Sequence, residues 1–270
     1  MTKERADVLL AKQGVFNSRT QAQRAIMAGL VCDHNHQRID KSGTSFPEGE
    51  KFYVKDDGKK YVSRGGFKLE KALKSFDINL KGKICLDIGA STGGFTDVAL
   101  QNGAKMVYAL DVGYNQLVWK LRDDPRVIVM EKQNFRYSKP EDFHHGLPDF
   151  AMTDVSFISL DLIMPPMYQI LKDHCDAVCL IKPQFEAGPV NVGKHGIVHD
   201  HKVHCKVIEH PVEKALAIGF NVLDVDYSPI KGGKGNIEFL IHLQKDEANG
   251  GRRIWTGKPE EVVARAVNDL

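Results

Sequence analysis

Short apolar runs alternate with helix-length stretches from residue 82 onward, and this pattern restricts the fold more than any other feature of the chain. Strands separated by helices build a mostly parallel sheet that is covered on both faces. The sequence therefore predicts an α/β fold that ends in an antiparallel hairpin formed by residues 221–227 and 237–243. The five runs that precede this hairpin are residues 84–88, 106–111, 126–130, 149–154 and 176–181.

The first part of the chain has a different character and predicts a second, smaller domain. The length of 270 residues exceeds the roughly 100 to 200 residues of a typical domain. We place a small α+β domain at residues 1–60, a linker with the start of the larger domain at 61–81, and the larger domain at 82–270. Residues 1–83 contain 17 Lys and Arg against 10 Asp and Glu, so they carry +7 although the whole chain carries only +2. This asymmetry favours a polyanionic partner, although a solvated basic face gives the same pattern.

Two short helices followed by small strands are predicted for the N-terminal domain. The first helix covers residues 5–12, and residues 18–21 have the pattern of a capping box before the second. The apolar residues of the second helix, Ala22, Ala25 and Ile26, are expected to face inward. The polar side chains left for solvent or phosphate are Arg19, Gln23 and Arg24.

Several classes of protein are disfavoured by composition. No apolar run approaches the roughly 18 residues of a membrane helix, and the first residues lack the apolar region of a signal peptide. Five cysteines, an odd number, do not indicate a disulfide framework. We therefore expect a soluble, cytoplasmic protein without a membrane partner. A metal site is also not expected, because Asp200 looks like a helix cap within the candidate cluster of His199, His201, His204 and Cys205, and no second ligand pair has zinc-like spacing.

A glycine-rich segment, Asp-Ile-Gly-Ala-Ser-Thr-Gly-Gly-Phe at residues 87–95, directly follows the first apolar run. In an open α/β sheet the ligand crevice lies beyond the carboxyl ends of the strands, and small residues let the backbone approach a ligand. Asp111 ends the next run, where its carboxylate can accept hydrogen bonds from ribose hydroxyls. The pattern predicts an adenosine-containing cofactor but does not separate S-adenosylmethionine from NAD. The predicted cofactor-binding residues are Asp87, Gly89, Ser91, Thr92, Gly93, Gly94, Phe95, Asp111 and Asn134, the last as a contact to the adenine edge.

Four charged residues, Lys68, Asp154, Lys182 and Glu238, are each expected to end a strand or open a loop beside this glycine-rich segment. An ion pair at the sheet edge would explain any one of them. Four charged groups in one cleft are more typical of an active site. The sequence therefore predicts an enzyme.

The N-terminal pattern resembles the S4 RNA-binding domain of ribosomal proteins and RNA-modifying enzymes. The residues that carry this resemblance are Arg5, Gly14, Ser18, Arg19, Ala22, Ile26 and residues 29–31. An S4 domain implies RNA contact through the second helix, where arginines would grip phosphates and give affinity rather than sequence reading. The alternative is a cap packed on the larger domain. The candidate RNA-binding residues are Arg5, Arg19, Arg24 and Arg64.

Nearly the whole chain resembles the TlyA family, historically called hemolysin A-like, which joins an S4 domain to an FtsJ-type ribose 2′-O-methyltransferase domain. The matching segments are residues 63–69, 87–95, 154–160, 182–186, 196–200 and 235–238. The resemblance implies S-adenosylmethionine as cofactor, a cytidine of ribosomal RNA as target, and a catalytic Lys-Asp-Lys-Glu tetrad at Lys68, Asp154, Lys182 and Glu238.

A ribose hydroxyl is a weak nucleophile that must be held in line and must lose its proton. We expect Lys182 to act as the base, or alternatively to donate a hydrogen bond that orients the oxygen, and Asp154 to orient Lys182. Lys68 would oppose the effect of Asp154, and Glu238 would hold one lysine or the ribose.

Other functions remain open on the sequence alone. The glycine-rich segment also permits a nicotinamide-dependent oxidoreductase, which the basic N-terminal domain and the closing hairpin do not favour; calorimetry with NAD and S-adenosylmethionine separates the two. The historical family name suggests a membrane-lysing protein, but we expect no lysis by the purified protein. A binding-only protein of the ribosomal subunits is a further alternative, against which the intact tetrad argues.

Two further features have more than one interpretation. Phe157, Phe185 and Tyr114 could stack on adenine or on an extruded base, or belong to the core. Gly65 and Gly66 could form a hinge between the two domains.

Overall fold

The N-terminal part contains two short helices and two small sheets, as a computed structural model that describes residues 3–16, 18–54 and 60–270 shows. Helices α1 (Ala6–Lys12) and α2 (Arg19–Met27) pack against each other. The hydroxyl of Ser18 accepts a hydrogen bond from the backbone N–H of Gln21 at 3.2 Å, so the predicted N-cap is confirmed. Strands β1 and β3 pair antiparallel, as do β2 and β4. These strands are β1 (Lys3–Arg5), β2 (Val31–Cys32), β3 (Ser45–Pro47) and β4 (Tyr53–Val54).

A separate small core supports this part of the chain. Leu10 of α1, Ile26 of α2 and Val31 of β2 are fully buried together. Burying each such side chain stabilises the fold by roughly 1.5 to 3 kcal/mol. The inward positions predicted for the second helix are therefore confirmed.

A seven-stranded sheet forms the larger part of the chain and confirms the predicted α/β class. The order across the sheet is β10-β11-β9-β8-β5-β6-β7. Strands β5 to β9 run parallel, whereas β11 runs antiparallel to both β9 and β10. The predicted hairpin is thus confirmed, with its second strand inserted between its first strand and the parallel strands. The seven strands are β5 (Ile84–Ile88), β6 (Met106–Leu110), β7 (Val127–Met130), β8 (Phe150–Thr153), β9 (Asp176–Ile181), β10 (Phe220–Tyr227) and β11 (Phe239–Lys245).

Helices cover both faces of this sheet. Side chains of α3, α4 and α5 pack on one face, and those of α6, α8 and α9 pack on the other. Both faces of the central strands are therefore apolar, which explains their continuous hydrophobic runs. The helices are α3 (Gly66–Ser75), α4 (Gly94–Gln101), α5 (Trp119–Arg122), α6 (Met164–Ile170), α7 (Pro183–Glu186), α8 (His201–Ile218) and α9 (Pro259–Asp269). Short 3-10 turns occur at Phe135–Tyr137, Pro140–Asp142, Leu160–Leu162 and Pro189–Asn191.

All five cysteines are unpaired. Cys85 and Cys179 lie in β5 and β9 and are fully buried, and burial raises the pKa of the Cys85 thiol to about 12. Such thiols belong to the core and are poor nucleophiles. Across the described ranges, no helix combines the length and apolar character that crossing a bilayer requires.

Candidate active site

A cavity of about 550 Å³ opens at the carboxyl ends of β5, β8 and β9. Its wall includes the glycine-rich loop after β5, the start of α3, the loops that follow β8 and β9, and the segment before β11. All four charged residues singled out from the sequence line it, namely Lys68, Asp154, Lys182 and Glu238. The prediction that these residues share one cleft with the glycine-rich segment is therefore confirmed.

The expectation that Lys68 ends a strand or opens a loop is wrong, because Lys68 lies in the first turn of α3. Close packing brings this helix to the sheet edge. A Cβ at Gly94, the first residue of α4, would overlap the hydroxyl of Ser63 and lie 3.1 Å from the backbone nitrogen of Gly66. Glycine at position 94 leaves room for this close approach, which brings Lys68 to the cavity.

Packing also explains why position 66 is a glycine, because a Cβ there would lie 2.6 Å from the ring of Tyr61. Gly65 has helical dihedral angles and Gly66 is buried. A hinge at these two glycines stays a prediction.

The four charged side chains form a continuous chain of contacts. Lys68 Nζ lies 2.8 Å from Glu238 Oε2 and 3.2 Å from Asp154 Oδ2. The other oxygen of Asp154, Oδ1, lies 2.5 Å from Lys182 Nζ. Two cations and two anions therefore balance one another in a largely buried group, which is the condition under which buried charges are tolerated.

The pKa values of this group follow from the contacts. Burial alone lowers the pKa of Lys68, but Asp154 and Glu238 outweigh burial and raise it overall. Burial likewise favours the neutral form of Asp154, but Lys68 and Lys182 outweigh it and lower the pKa of this carboxyl. Lys68 is therefore held as an ammonium between two carboxylates.

Two further residues, neither of them predicted as a site residue, contact the tetrad. The ammonium of Lys182 donates a hydrogen bond to the hydroxyl of Ser156 at 3.0 Å. A Cβ at Gly232 would overlap Oε1 of Glu238, so the backbone of the loop after β10 packs directly against this carboxylate. Ser156 stands within the matched Asp-Val-Ser sequence, which was the available signal for it.

Asp87 stands at the base of the glycine-rich loop. Its Oδ2 accepts a hydrogen bond from the Thr96 hydroxyl at 2.6 Å. Its Oδ1 is buried and has no hydrogen-bond partner among the described residues. Burial raises the pKa of this carboxyl from its usual 3.8 to about 7. An oxygen left without a partner in a cavity wall is suited to a ligand that brings a donor or a positive charge.

The glycine-rich loop itself is shaped for a close ligand. Gly89 has φ +83°, and a Cβ there would lie 3.1 Å from the Val155 side chain and 3.2 Å from the Asp154 carbonyl oxygen. The other loop residues predicted to bind the cofactor that line the cavity are Ser91, Thr92, Gly94 and Phe95.

Three predicted cofactor-binding residues do not line the cavity. Gly93 turns the chain with φ +98°, and a Cβ there would overlap the side chain of Leu121. Asp111 accepts hydrogen bonds from the backbone N–H groups of Ser91 at 2.8 Å and Gly113 at 2.7 Å. Asn134 accepts one from the backbone N–H of Arg136 at 3.3 Å and caps a 3-10 turn. Contacts of Asp111 with ribose and of Asn134 with adenine stay predictions.

An aromatic pair stands at the cavity. Phe157 is 90% exposed and has φ +64°, a backbone conformation that non-glycine residues rarely adopt. Its ring centroid lies 5.1 Å from that of Phe185, and both residues line the cavity, whereas Tyr114 does not. Gln184, which was not predicted, also lines it, and its Oε1 is buried without a hydrogen-bond partner in the described part of the chain. Base stacking on Phe157 and Phe185 stays a prediction.

The N-terminal arginines are less free than expected. The buried carboxylate of Asp7 lies 2.9 Å from Nε of Arg5 and 2.8 Å from Nε of Arg19, and it accepts a hydrogen bond from Gln23 at 2.6 Å. Arg19 and Gln23 donate to Asp7 because a buried carboxylate needs donors. The side chain of Arg19 nevertheless stays 54% exposed, as expected. The hydrogen bond from Arg5, with the donors of Arg19 and Gln23, holds the pKa of Asp7 well below its usual range despite burial.

Of the other two candidate RNA-binding residues, Arg64 lines the cavity and Arg24 is not buried. RNA binding by all four arginines stays a prediction.

The histidines considered as metal ligands lie around the start of α8. Asp200 caps this helix by accepting a hydrogen bond from the backbone N–H of Lys202 at 2.8 Å, as predicted. His204 is buried against Phe239. Over the ranges that the structure covers, His199, His201, His204 and Cys205 do not gather ligand atoms around one point.

The residues around the cavity fit S-adenosylmethionine. Asp87 has a buried carboxylate oxygen without a protein partner, which suits a cationic amino group, and Gly89 lines the cavity without a side chain to fill it. A parallel sheet that ends in an inserted antiparallel strand, with this cavity at its carboxyl edge, is the architecture of an S-adenosylmethionine-dependent methyltransferase.

Comparison with known proteins identifies the family. A family model described as FtsJ-like methyltransferase matches residues 61–245. The Bacillus subtilis protein YqxC, provisionally named an rRNA methyltransferase, is 53% identical over 268 residues, which cover 99% of this chain and 94% of that protein. The 16S/23S rRNA (cytidine-2′-O)-methyltransferase TlyA of Mycobacterium tuberculosis is 39% identical over 275 residues, which cover 99% of this chain and 98% of that protein. A solved structure of a Streptococcus thermophilus protein, provisionally named a hemolysin, superposes with a TM-score of 0.74 at 53% identity and covers 100% of this chain and 97% of that one.

This chain therefore belongs to the FtsJ-like methyltransferases and, among them, to the TlyA family. Its cofactor is S-adenosylmethionine.

Proposed function

We propose that this protein methylates the ribose 2′-hydroxyl of a cytidine in ribosomal RNA. The observation that carries the proposal is the convergence of Lys68, Asp154, Lys182 and Glu238 in the cavity that the glycine-rich loop also lines. Relatives that are named rRNA methyltransferases, one of them a cytidine-2′-O enzyme, support the choice of substrate. A cytoplasmic location, ribosomal subunits as partners and an S4-like domain at residues 1–60 are parts of the same proposal.

The cofactor would be held by Asp87 and by the loop from Gly89 to Phe95. When bound, S-adenosylmethionine supplies a methyl group whose bond to sulfur breaks as the bond to the 2′-oxygen forms. The four charged residues then have to orient that oxygen and accept its proton. Orientation alone can supply much of the rate.

The contacts separate the roles of the two lysines. Lys68 lies between two carboxylates that raise its pKa, so it keeps its proton. Lys182 contacts one carboxylate and the Ser156 hydroxyl. Once its ammonium has passed one proton to solvent, the neutral amine of Lys182 accepts the 2′-hydroxyl proton. Asp154 orients Lys182, and Glu238 fixes Lys68.

The first test is transfer of labelled methyl from S-adenosylmethionine to purified small and large ribosomal subunits. We expect Lys182→Ala to lower transfer by about 10²- to 10⁴-fold, the usual contribution of a general base, while cofactor affinity measured by calorimetry stays unchanged. Lys172→Ala is the matched control, because Lys172 forms an ion pair with Asp149 just before β8, at the opposite edge of the sheet.

Two results of this experiment would contradict the proposal. Labelling of neither subunit, despite cofactor binding, would refute ribosomal RNA as the substrate. A label at a linkage that alkali still cleaves would refute modification of the 2′-oxygen.

A further inference from the structure

Two loops beside the cavity are tied together by one buried side chain. We call residues 187–199 and 229–237 the clamp loops. Asn236 of the second loop is 1% exposed, accepts a hydrogen bond from the backbone N–H of Val198 at 2.9 Å and donates one to the carbonyl of Gly196 at 2.8 Å. The first loop is also closed on itself, since the N–H of Gly193 donates to the carbonyl of Ile197 at 2.9 Å. The two loops therefore form one preorganised unit.

The clamp loops carry cations without compensating anions. They contain Lys194, Lys231 and Lys234 and no acidic residue. All three lysines are exposed, and none makes an ion pair with another residue of the described ranges. A Cβ at Gly196 would lie 3.6 Å from Lys234 Nζ, so this lysine of the second loop lies over the backbone of the first.

The cavity does not neutralise these lysines. Lys231 and Lys234 line its wall, but the inner lysines and carboxylates already balance one another through contacts of 2.5 to 3.2 Å. The positive charge of Lys231 and Lys234 therefore stays uncompensated at the cavity wall, where it is exposed to an approaching ligand. Lysine ammonium groups on a preorganised backbone suit phosphate oxygens, which they bind as point charges.

We propose that the clamp loops bind the RNA backbone next to the target nucleotide, through the phosphates that Lys231 and Lys234 contact, with Lys194 extending the same surface. This inference rests on the proposed function, because it assumes an RNA substrate in the cavity. It assigns part of the RNA affinity to the catalytic domain itself, in addition to the basic N-terminal part. Phosphate contacts fix register and orientation on the nucleic acid, so the clamp loops position the ribose for the tetrad.

The test measures the salt dependence of binding to the ribosomal subunit that the wild type methylates. The double variant Lys231→Gln/Lys234→Gln removes two cations from the clamp loops. The control Lys81→Gln/Lys105→Gln removes two exposed cations just before β5 and β6, at the opposite edge of the sheet. Dissociation constants are measured between 0.05 and 0.5 M KCl, with cofactor affinity as a check on folding.

Loss of two phosphate contacts should lower the slope of log Kd against log salt by about 1.4 for single-stranded RNA and about 1.8 for a duplex. If the non-electrostatic part of binding is unchanged, the double variant should bind about 25 to 60 times more weakly at 0.1 M salt. The control variant should keep the wild-type slope.

The outcomes distinguish this inference from the proposed function. A double variant with the wild-type slope, alongside a wild type that methylates the subunit, would overturn the role of the clamp loops alone. Equal slope losses in the double variant and the control would also overturn it, because the effect would then reflect net charge. A wild type that methylates neither subunit would refute the proposed function, and this inference with it.

Discussion

Replacing Asp87 by Asn should stabilise the protein at alkaline pH while weakening cofactor binding. In the folded protein burial raises the pKa of Asp87 to about 7, against a usual value of 3.8. One pKa unit corresponds to about 1.4 kcal/mol, so ionised Asp87 destabilises the fold by about 4 kcal/mol. Asn has the same shape and can still accept the hydrogen bond from Thr96, but it never ionises.

The sign of the pH dependence follows from proton binding. Between about pH 4 and pH 7 the folded protein holds a proton on Asp87 that the unfolded chain has lost, so stability falls as pH rises. The difference in unfolding free energy between Asp87→Asn and the wild type should therefore grow by about 3 kcal/mol from pH 5 to pH 8. Urea unfolding of both proteins without cofactor measures it, and Asp123→Asn at an exposed loop position controls for the loss of one negative charge.

The same substitution, Asp87→Asn, should weaken cofactor binding. The unpartnered Oδ1 of Asp87 is available for the cofactor's cationic amino group, and a charged hydrogen bond contributes about 1.5 to 3 kcal/mol. Asp87→Asn should therefore weaken S-adenosylmethionine binding by about 10- to 100-fold. Wild-type affinity should rise with pH up to about pH 7, because a cation binds only the ionised carboxylate, and the variant should lack this rise. A stability difference that is the same at pH 5 and pH 8 would refute the reasoning.

Two further predictions concern the catalytic carboxylate and the N-terminal part. Gly232→Ala should lower methyl transfer by about tenfold or more, because the new Cβ displaces Glu238 and even small misplacements of catalytic groups are costly. Gly233→Ala is the matched control, since a Cβ there meets nothing within 4 Å. Equal activities of the two variants would contradict the contact between Gly232 and Glu238. Asp7→Asn should destabilise the N-terminal part by about 1 to 3 kcal/mol near pH 7, measured as faster hydrogen exchange in α1. Because the pKa of Asp7 is depressed, the advantage of the wild type should begin to shrink as pH falls below about 4 and should keep shrinking at lower pH. An advantage that is as large at pH 2 as at pH 7 would contradict the role of its charge.

The sheet and part of the tetrad could be predicted from the sequence because they depend on local patterns. Asp154 and Lys182 follow apolar runs that became β8 and β9, and the carboxyl ends of neighbouring parallel strands share one edge. The glycine-rich loop was recognisable for the same reason. The capping side chain of Ser18 was also predictable, because it bonds within its own turn.

Other features depend on contacts between distant segments and left no local signal. The family resemblance indicated Lys68, but its position on a helix that packs closely against Gly94 could not be predicted from a local pattern. Arg19 stays exposed but is also a partner of Asp7, because α1 and α2 pack together. Nothing in the local sequence distinguishes Asn236 from other loop residues, because its hydrogen bonds are to the neighbouring loop.

The insertion of β11 between β9 and β10 has a consequence for how the enzyme is made. Domains fold from the N-terminal side as synthesis proceeds, so Lys68, Asp154 and Lys182 emerge well before Glu238. Until β11 has been synthesised, β9 is paired only with β8, and its other edge is free to pair with other chains. Nascent chains stalled before residue 239 should therefore aggregate rather than show partial activity, and their yield should depend on chaperones. Activity should appear in a single late step of synthesis, when the final strand enters the sheet.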